Sequence, residues 1–418
     1  MNNYFFLILF LFFYFLKFFI DLFLSSLNQR YIQKHTTVPE LYKDFVSEET
    51  FQKSKAYHAM YYRFHIASSC FFVALFLVCV YSGLLNYVDI LLRSWIASNI
   101  LRGLALFGII LLFMEICSLP FSYYAHFVVE EKFGFNRQTV RLWIKDKIIG
   151  LILSCVLLCP VLSLAIYFIE NIGSYWWIYV WLLFFSYGLL ISFIYPIFIA
   201  PIFNKFTPLE EGSLRTRLES LVKKANFPLK NVFVMDASKR SVHSNAYFAG
   251  LGKTKRLVLY DSMLKDFSEE ELETVVAHEI GHYKKHHILK SLLLSQFSSF
   301  IFFFLAGLIL HDQRLYDIFF VQNQSTYMGL LSLSIISGII SSYLSPLTNF
   351  FSWKYETEAD VYALELTGNK EPFKTMLFKL EEKNLSNLTP HPVYARYYYS
   401  HPPTAIRIQR AFNIANIN

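Results

Sequence analysis

Long apolar runs separated by short polar connections fill the first half of the chain, and this pattern sets the architecture. A bilayer-spanning helix needs about 20 mostly apolar residues. Stretches 4–26, 66–86, 101–121, 148–169, 175–203, 288–310 and 328–350 each meet that demand. Seven membrane crossings are therefore predicted. The first run lacks the basic leader and short apolar core of a cleaved signal, so it is expected to remain as a helix. Glu115 and Pro120 interrupt the third run, and Pro196 and Pro201 break the fifth, where freed backbone groups need partners in protein or water. A carboxyl at membrane depth either pairs with a neighbouring helix or lines a wet cavity, and for Glu115 the sequence leaves both open.

Two polar segments remain, 204–287 and 351–418, and together they are the only soluble mass of domain size. The chain thus divides into 1–203 with five crossings, a first catalytic-type segment 204–287, two further crossings in 288–350, and a second segment 351–418. Residues 212–225 read as an amphipathic helix, while 231–235, 245–248 and 256–260 read as strands rich in β-formers. Ser268 with Glu271 three residues later is a capping box that opens another helix.

Composition and charge refine this picture. The 418 residues are 55% apolar and 19% aromatic with only 17% charged, the balance of an integral membrane protein. The net charge of +7 is scattered rather than gathered into a basic tract, which argues against a nucleic-acid partner. Lys and Arg instead concentrate in alternate loops: Arg30, Lys34, Lys43, Lys53, Lys55 and Arg63 in the first, Lys132, Arg137, Arg141, Lys145 and Lys147 in the third. Such residues are retained on the cytoplasmic side, so both polar segments are expected to face the cytoplasm. The five cysteines, Cys70, Cys79, Cys117, Cys155 and Cys159, lie in apolar runs without redox or metal spacing and read as small buried residues.

The chemistry is concentrated in the capped helix, which carries His278-Glu279-Ile280-Gly281-His282. Two imidazoles four residues apart share one helix face and can grip a single Zn2+. Glu279 projects about 100° away around the axis, free to take a proton from water that the metal acidifies and to pass it to a leaving amine. Gly281, costly in mid-helix by about 1 kcal/mol, suits a place where another backbone comes close. A catalytic zinc needs a third protein ligand, and Glu356 in the stretch 353–360 supplies one, with Asp360 on the same face to orient a ligand histidine. The competing reading is that these acids merely solvate a helix. His401, before Pro402-Pro403, either donates to the oxyanion formed on a peptide carbonyl or marks a turn, and Arg407 can pair with Asp360 or Glu356. His286 and His287 are expected at the surface near the membrane.

Taken together these residues resemble the type I CAAX prenyl proteases. The resemblance runs through nearly the whole chain: Glu131-Lys-Phe-Gly134-Phe-Asn136-Arg-Gln-Thr139, Ser238-Lys-Arg-Ser241, Ser244-Asn245-Ala-Tyr-Phe248, His278 to His282, Glu356 to Asp360, and Ser400-His401-Pro-Pro403 with Arg407. It implies a mainly α membrane protein of seven transmembrane helices enclosing a chamber, with a cytoplasmic zincin-like α+β metalloprotease domain. It implies one Zn2+ per chain on His278, His282 and Glu356, with Glu279 as general base. The strand Asn245, Ala246, Tyr247 and Phe248 would align an extended peptide by edge pairing. The implied partners are prenylated CAAX substrates, which lose their last three residues and in some members are cut again upstream, together with membrane lipid around a monomer. The implied location is the endoplasmic reticulum membrane in a eukaryote or the inner membrane in a bacterium. Tyr283 stands where the family often has Trp, and Ala249 where a larger aromatic residue is usual. Two other readings are a membrane quality-control zinc protease without a prenyl requirement, which usually has about four spans, and a non-catalytic receptor or transporter retaining the zinc fold. The intact Glu279 weighs against the latter, since a structural site needs ligands but no base.

Overall fold

The computed structural model describes residues 4–227, 232–249 and 256–415. Five long helices come first: α1 (Tyr4–Lys34), α2 (Glu48–Tyr81), α3 (Asn99–Tyr124), α4 (Val140–Asn171) and α5 (Trp176–Ile194). A polar layer follows, with strands β1 (Phe206–Pro208), β2 (Val232–Met235), β3 (Ala246–Ala249) and β4 (Arg256–Tyr260), and helices α6 (Ser213–Lys224) and α7 (Glu269–Lys284). Then come α8 (His287–Ile309), α9 (Thr326–Thr367), α10 (Lys370–Lys383) and α11 (Thr404–Ile414). Among the described residues seven helices are long and apolar enough to cross a membrane, and they coincide with the seven predicted runs. Several overrun the bilayer. The 42-residue α9 continues without a break from the membrane into the polar layer, which is how the seventh span delivers Glu356 and Asp360.

Burial along the spans falls at two levels. At one end Phe10, Val80, Leu106, Ile166, Trp176 and Tyr327 pack into a shared apolar cluster. The other end packs against the polar layer. Between them no residue is buried in 11–23, 58–79, 107–124, 144–160, 181–194, 288–302 or 334–352. A close-packed bundle buries one face of every helix along its length. Helices that pack tightly at their ends and between them touch only side by side, burying no residue, enclose an open interior, as the chamber expectation requires.

The interruptions are satisfied by protein. Glu115 of α3 pairs with Lys147 of α4 at 2.9 Å, the neighbouring-helix reading of that carboxyl. The chain after α5 passes through a π-turn at Tyr195–Ile199, and the carbonyl of Pro196 accepts from Arg256 at 3.1 Å. The four strands form one sheet in the order β1-β2-β4-β3, so β3 is an edge, paired antiparallel to β4 with Ala246 opposite Leu259 and Tyr247 opposite Val258. Strand β1 has only three residues and gives no alternating pattern from which to predict it. Of the strand expected over 231–235, Asn231 lies outside the described residues.

Two of the quoted motifs lock the membrane half to this sheet. Gly134, at φ +84, turns the chain after α3 so that Arg137 N donates to Arg240 O at 3.0 Å and Val242 N to Phe135 O at 3.2 Å. Arg240 then forks onto Asp146 of α4 at 2.8 and 3.0 Å, the bidentate geometry that fixes both partners. The edge strand begins a few residues later, so its position is set from the membrane side.

Candidate metal and catalytic site

Helix α7 starts on the predicted capping box: Glu271 N donates to Ser268 Oγ at 3.3 Å, and Ser268 N to Glu271 Oε2 at 2.8 Å. Its apolar face, including Val275, Val276, Ala277 and Ile280, is buried. A Cβ at Gly281 would stand 3.0 Å from the Cα and the carbonyl oxygen of Ala359, so glycine is what lets α7 and α9 cross closely. That crossing brings the two halves of the site together.

His278 Nε2 and His282 Nε2 lie 3.1 Å apart, and Glu356 approaches them at 3.4 and 3.3 Å. Among the described residues these three form the group whose ligand atoms converge on one point. Ligands placed 2.0–2.1 Å from a tetrahedral zinc stand about 3.3 Å from one another, so the spacing fits. Glu356 Oε2 is buried without a hydrogen-bond partner, a cost that a bound cation removes. Electrostatics point the same way. Burial opposes a charge on His278, yet Asp360 and Glu356 outweigh it and push the imidazole up to about 10; a metal ion supplies the positive charge the pocket favours. Such an ion, when bound, is a Lewis acid that makes water a usable nucleophile at neutral pH.

The surrounding groups hold this triad in place. His278 Nδ1 faces Asp360 Oδ1 at 2.8 Å. Arg407 of α11 donates to the same carboxylate through Nη2 at 2.6 Å and Nε at 2.9 Å, and its Nη2 stands 3.7 Å from Glu356. Burial works against the guanidinium charge, but Asp360 holds its pKa above the ordinary value. Asp360 thus serves both the histidine and the arginine. His401 places Nε2 3.3 Å from Glu356 Oε1 and leans its Nδ1 on Ser400 Oγ at 2.9 Å, and its side chain is 62% exposed, turned to the groove. Partial desolvation at the groove wall lowers its pKa. Glu279 faces the groove beside the triad, its pKa raised chiefly by burial, with His278 and His282 pulling the other way.

Two cavities meet at Glu279. One, of about 410 Å³, is lined by Ser244, Asn245, Ala246, His278 and His401; the other, of about 440 Å³, by Tyr247, Phe248, His282, Tyr283 and Tyr355. The edge strand therefore borders both, with Asn245 and Ala246 on one side of Glu279 and Tyr247 and Phe248 on the other. Ten of the eleven site residues expected from sequence line this groove, and the eleventh, Asp360, is buried behind His278.

His287 departs from its expected surface position. His286 adopts φ +57, which ends α7 and swings the next residue under the site, leaving His287 only 3% exposed. Its Nδ1 lies 3.0 Å from His282 Nδ1, and its Nε2 lies 2.9 Å from Glu358. His282 is thus oriented by an imidazole backed by a carboxylate, as His278 is by Asp360. Replacing His287 with Ala is expected to weaken metal affinity about 10- to 100-fold, read by chelator competition; unchanged affinity would remove His287 from the site.

Glu381 was also not found from sequence. It lines the smaller cavity, and burial raises its carboxyl to about 7, with the hydroxyls of Thr404 and Tyr42 opposing the shift. A carboxyl whose folded pKa exceeds its unfolded value binds more protons when folded, so it costs stability as pH rises from about 4.5 to 7. Thermal unfolding at pH 5.5 and 7.5 should show that decrement in the natural chain and lose it in Glu381→Gln; an equal decrement in both proteins would contradict this.

Comparison with known proteins agrees with the geometry. The family profile described as CAAX prenyl protease N-terminal, five membrane helices, matches residues 28–205, and that of Peptidase family M48 matches residues 208–415. A CAAX prenyl protease 1 homolog of Dictyostelium discoideum is 38% identical, covering 99% of this chain and 97% of the relative. CAAX prenyl protease 1 of Saccharomyces cerevisiae is 37% identical, covering 92% and 91%. The crystal structure of S. mikatae Ste24p superposes with a TM-score of 0.90 at 33% identity, covering 97% of this chain and 98% of that one. A metallopeptidase sequence pattern, a seven-span fold and a converging His-His-Glu group thus agree, and the chain belongs to peptidase family M48 as a multi-pass membrane metalloprotease with the amino-terminal membrane region of the CAAX prenyl proteases.

Proposed function

We propose that the chain is a zinc endopeptidase that removes the last three residues of prenylated CAAX proteins. The observation that carries this reading is the groove itself: an open edge strand runs beside two imidazoles and a carboxylate that converge within 3.4 Å. In this reading His278, His282 and Glu356 hold one Zn2+ per chain. Main-chain pairing with residues 245–248 holds the peptide extended across Glu279. Glu279 takes a proton from the attacking water and returns it to the leaving amine. His401 donates to the carbonyl oxygen as negative charge develops there, and Arg407 fixes Asp360 and through it His278. The names of the relatives support the prenylated CAAX substrate, and the unburied middle of the bundle supports a place where a lipid tail stays in apolar surroundings while the peptide reaches the site.

The division at 1–203, 204–287, 288–350 and 351–418 belongs to the same proposal: the polar layer is assembled from two segments that the last pair of spans separates. The basic first and third loops support an active site on the cytoplasmic face, of the endoplasmic reticulum if the host is eukaryotic and of the inner membrane if bacterial. The chain acts as a monomer in lipid. The test is to offer the purified protein a farnesylated CAAX peptide and its unprenylated twin, with and without chelator. Release of the C-terminal tripeptide is expected from the farnesylated peptide and to stop on chelation; equal cutting of both peptides would favour general proteolysis.

A further inference from the structure

A cavity of about 860 Å³, larger than either cavity beside Glu279, lies against α9 where that helix leaves its apolar run. Its floor is apolar: Pro346, Phe350, Val393 and Ile414, the last three 66%, 52% and 55% exposed. Its rim carries four cations, Lys285, Lys354, Arg396 and Arg410. Arg410 lies over the ring of Trp353, 5.7 Å from its centre, which fixes one of them. Among the described residues no carboxylate comes within ion-pairing distance of any of the four. The single acid in the lining, Glu358, is engaged by His287 and Lys290 at 2.9 and 3.6 Å, with Lys354 acting on it from farther away.

The position selects the ligand. Lys285 ends α7 just before α8 enters its apolar run, and Trp353 and Lys354 follow the apolar run of α9, so the rim stands at the level of lipid headgroups. Above it the exposed Leu347, Leu344 and Ile340 continue an apolar surface up α9. Four cations with no carboxylate at ion-pairing distance, over an apolar groove that the apolar run of α9 continues, match an anion carrying an acyl chain, and basic pockets beside transmembrane helices recognise anionic headgroups in this way. We propose that this seam between α9 and α11 binds one anionic glycerophospholipid of the surrounding bilayer, phosphate on the basic rim and acyl chain along α9. The site is separate from the groove at Glu279 and does not depend on the substrate reading.

The test titrates the full chain, delipidated in neutral detergent, with phosphatidylserine and with phosphatidylcholine of the same acyl chains, counting bound lipid by native mass spectrometry. Phosphatidylserine is expected to bind at least about tenfold more tightly. The triple variant Lys285→Gln, Lys354→Gln and Arg396→Gln should lose roughly a hundredfold, about fivefold per cation near the surface. Val393→Trp keeps every charge but fills the groove, and it should lose phosphatidylserine binding as well. Soluble glycerophosphoserine and inorganic phosphate should bind far more weakly than the lipid. Equal binding of the two lipids by the natural chain, a comparison that needs no variant, would overturn the proposal. So would soluble phosphate binding as tightly as lipid, or full retention of lipid by Val393→Trp, which would mean surface electrostatics alone.

Discussion

Glu279→Gln is expected to lower peptide cleavage by about 10²- to 10⁴-fold, the range set by loss of a positioned general base, with metal content unchanged. Gln keeps the size of the side chain and its packing on α7, so binding of peptide along β3 should survive. What it cannot do is accept a proton from water and return it to the amine. A ligand would behave differently, because its removal empties the site. Cleavage by Glu279→Gln at the natural rate would reject the mechanism, and loss of metal from that variant would make Glu279 a ligand rather than a base.

The second large effect is expected at Asp360, which lies behind His278 and outside the converging His-His-Glu group. Its two oxygens hold Arg407 from below and His278 from the side, and its side chain is 1% exposed. Asp360→Ala leaves a guanidinium buried without its partner, a defect that costs about 3–5 kcal/mol. It also frees the ring of His278, with a further loss of metal affinity of about 10- to 100-fold. Thermal unfolding with chelator present reads the first effect and chelator competition reads the second. Asp360→Asn retains an acceptor for one neighbour and should fall between the two. An Asp360→Ala protein as stable as the natural chain would show that the Arg407 pair does not hold the site together.

The sequence made some of this legible and hid the rest, for physical reasons. A bilayer imposes one length on every crossing, so the seven spans could be read as apolar runs. The His278–His282 spacing and the Glu356–Asp360 spacing both follow from helical geometry, because four residues return to the same face. Gly281 stood out by its helix cost, and α9 is the backbone that explains it. His287 could not be placed this way. Its burial depends on a left-handed residue at His286, and that conformation in a non-glycine residue has no reliable signature. Glu381 carries no signal of its own in the sequence, because its burial comes from Tyr42 and Thr404, far away in the chain. A partnership between residues 113 positions apart, such as Glu130 of the turn after α3 with His243 at 3.2 Å, appears only in three dimensions. The open middle of the bundle is likewise a property of how helices diverge, and each apolar run would look the same in a packed bundle.

The proposed mechanism requires three side chains from two distant segments to share one ion. X-ray absorption at the zinc edge, with metal counted per chain, addresses that claim in the natural protein, in Glu279→Gln and in Glu356→Ala. One zinc with two imidazole nitrogens and otherwise oxygen neighbours is expected in the first two proteins, and none held stoichiometrically in the third. A full zinc complement with an unaltered spectrum in Glu356→Ala would contradict it.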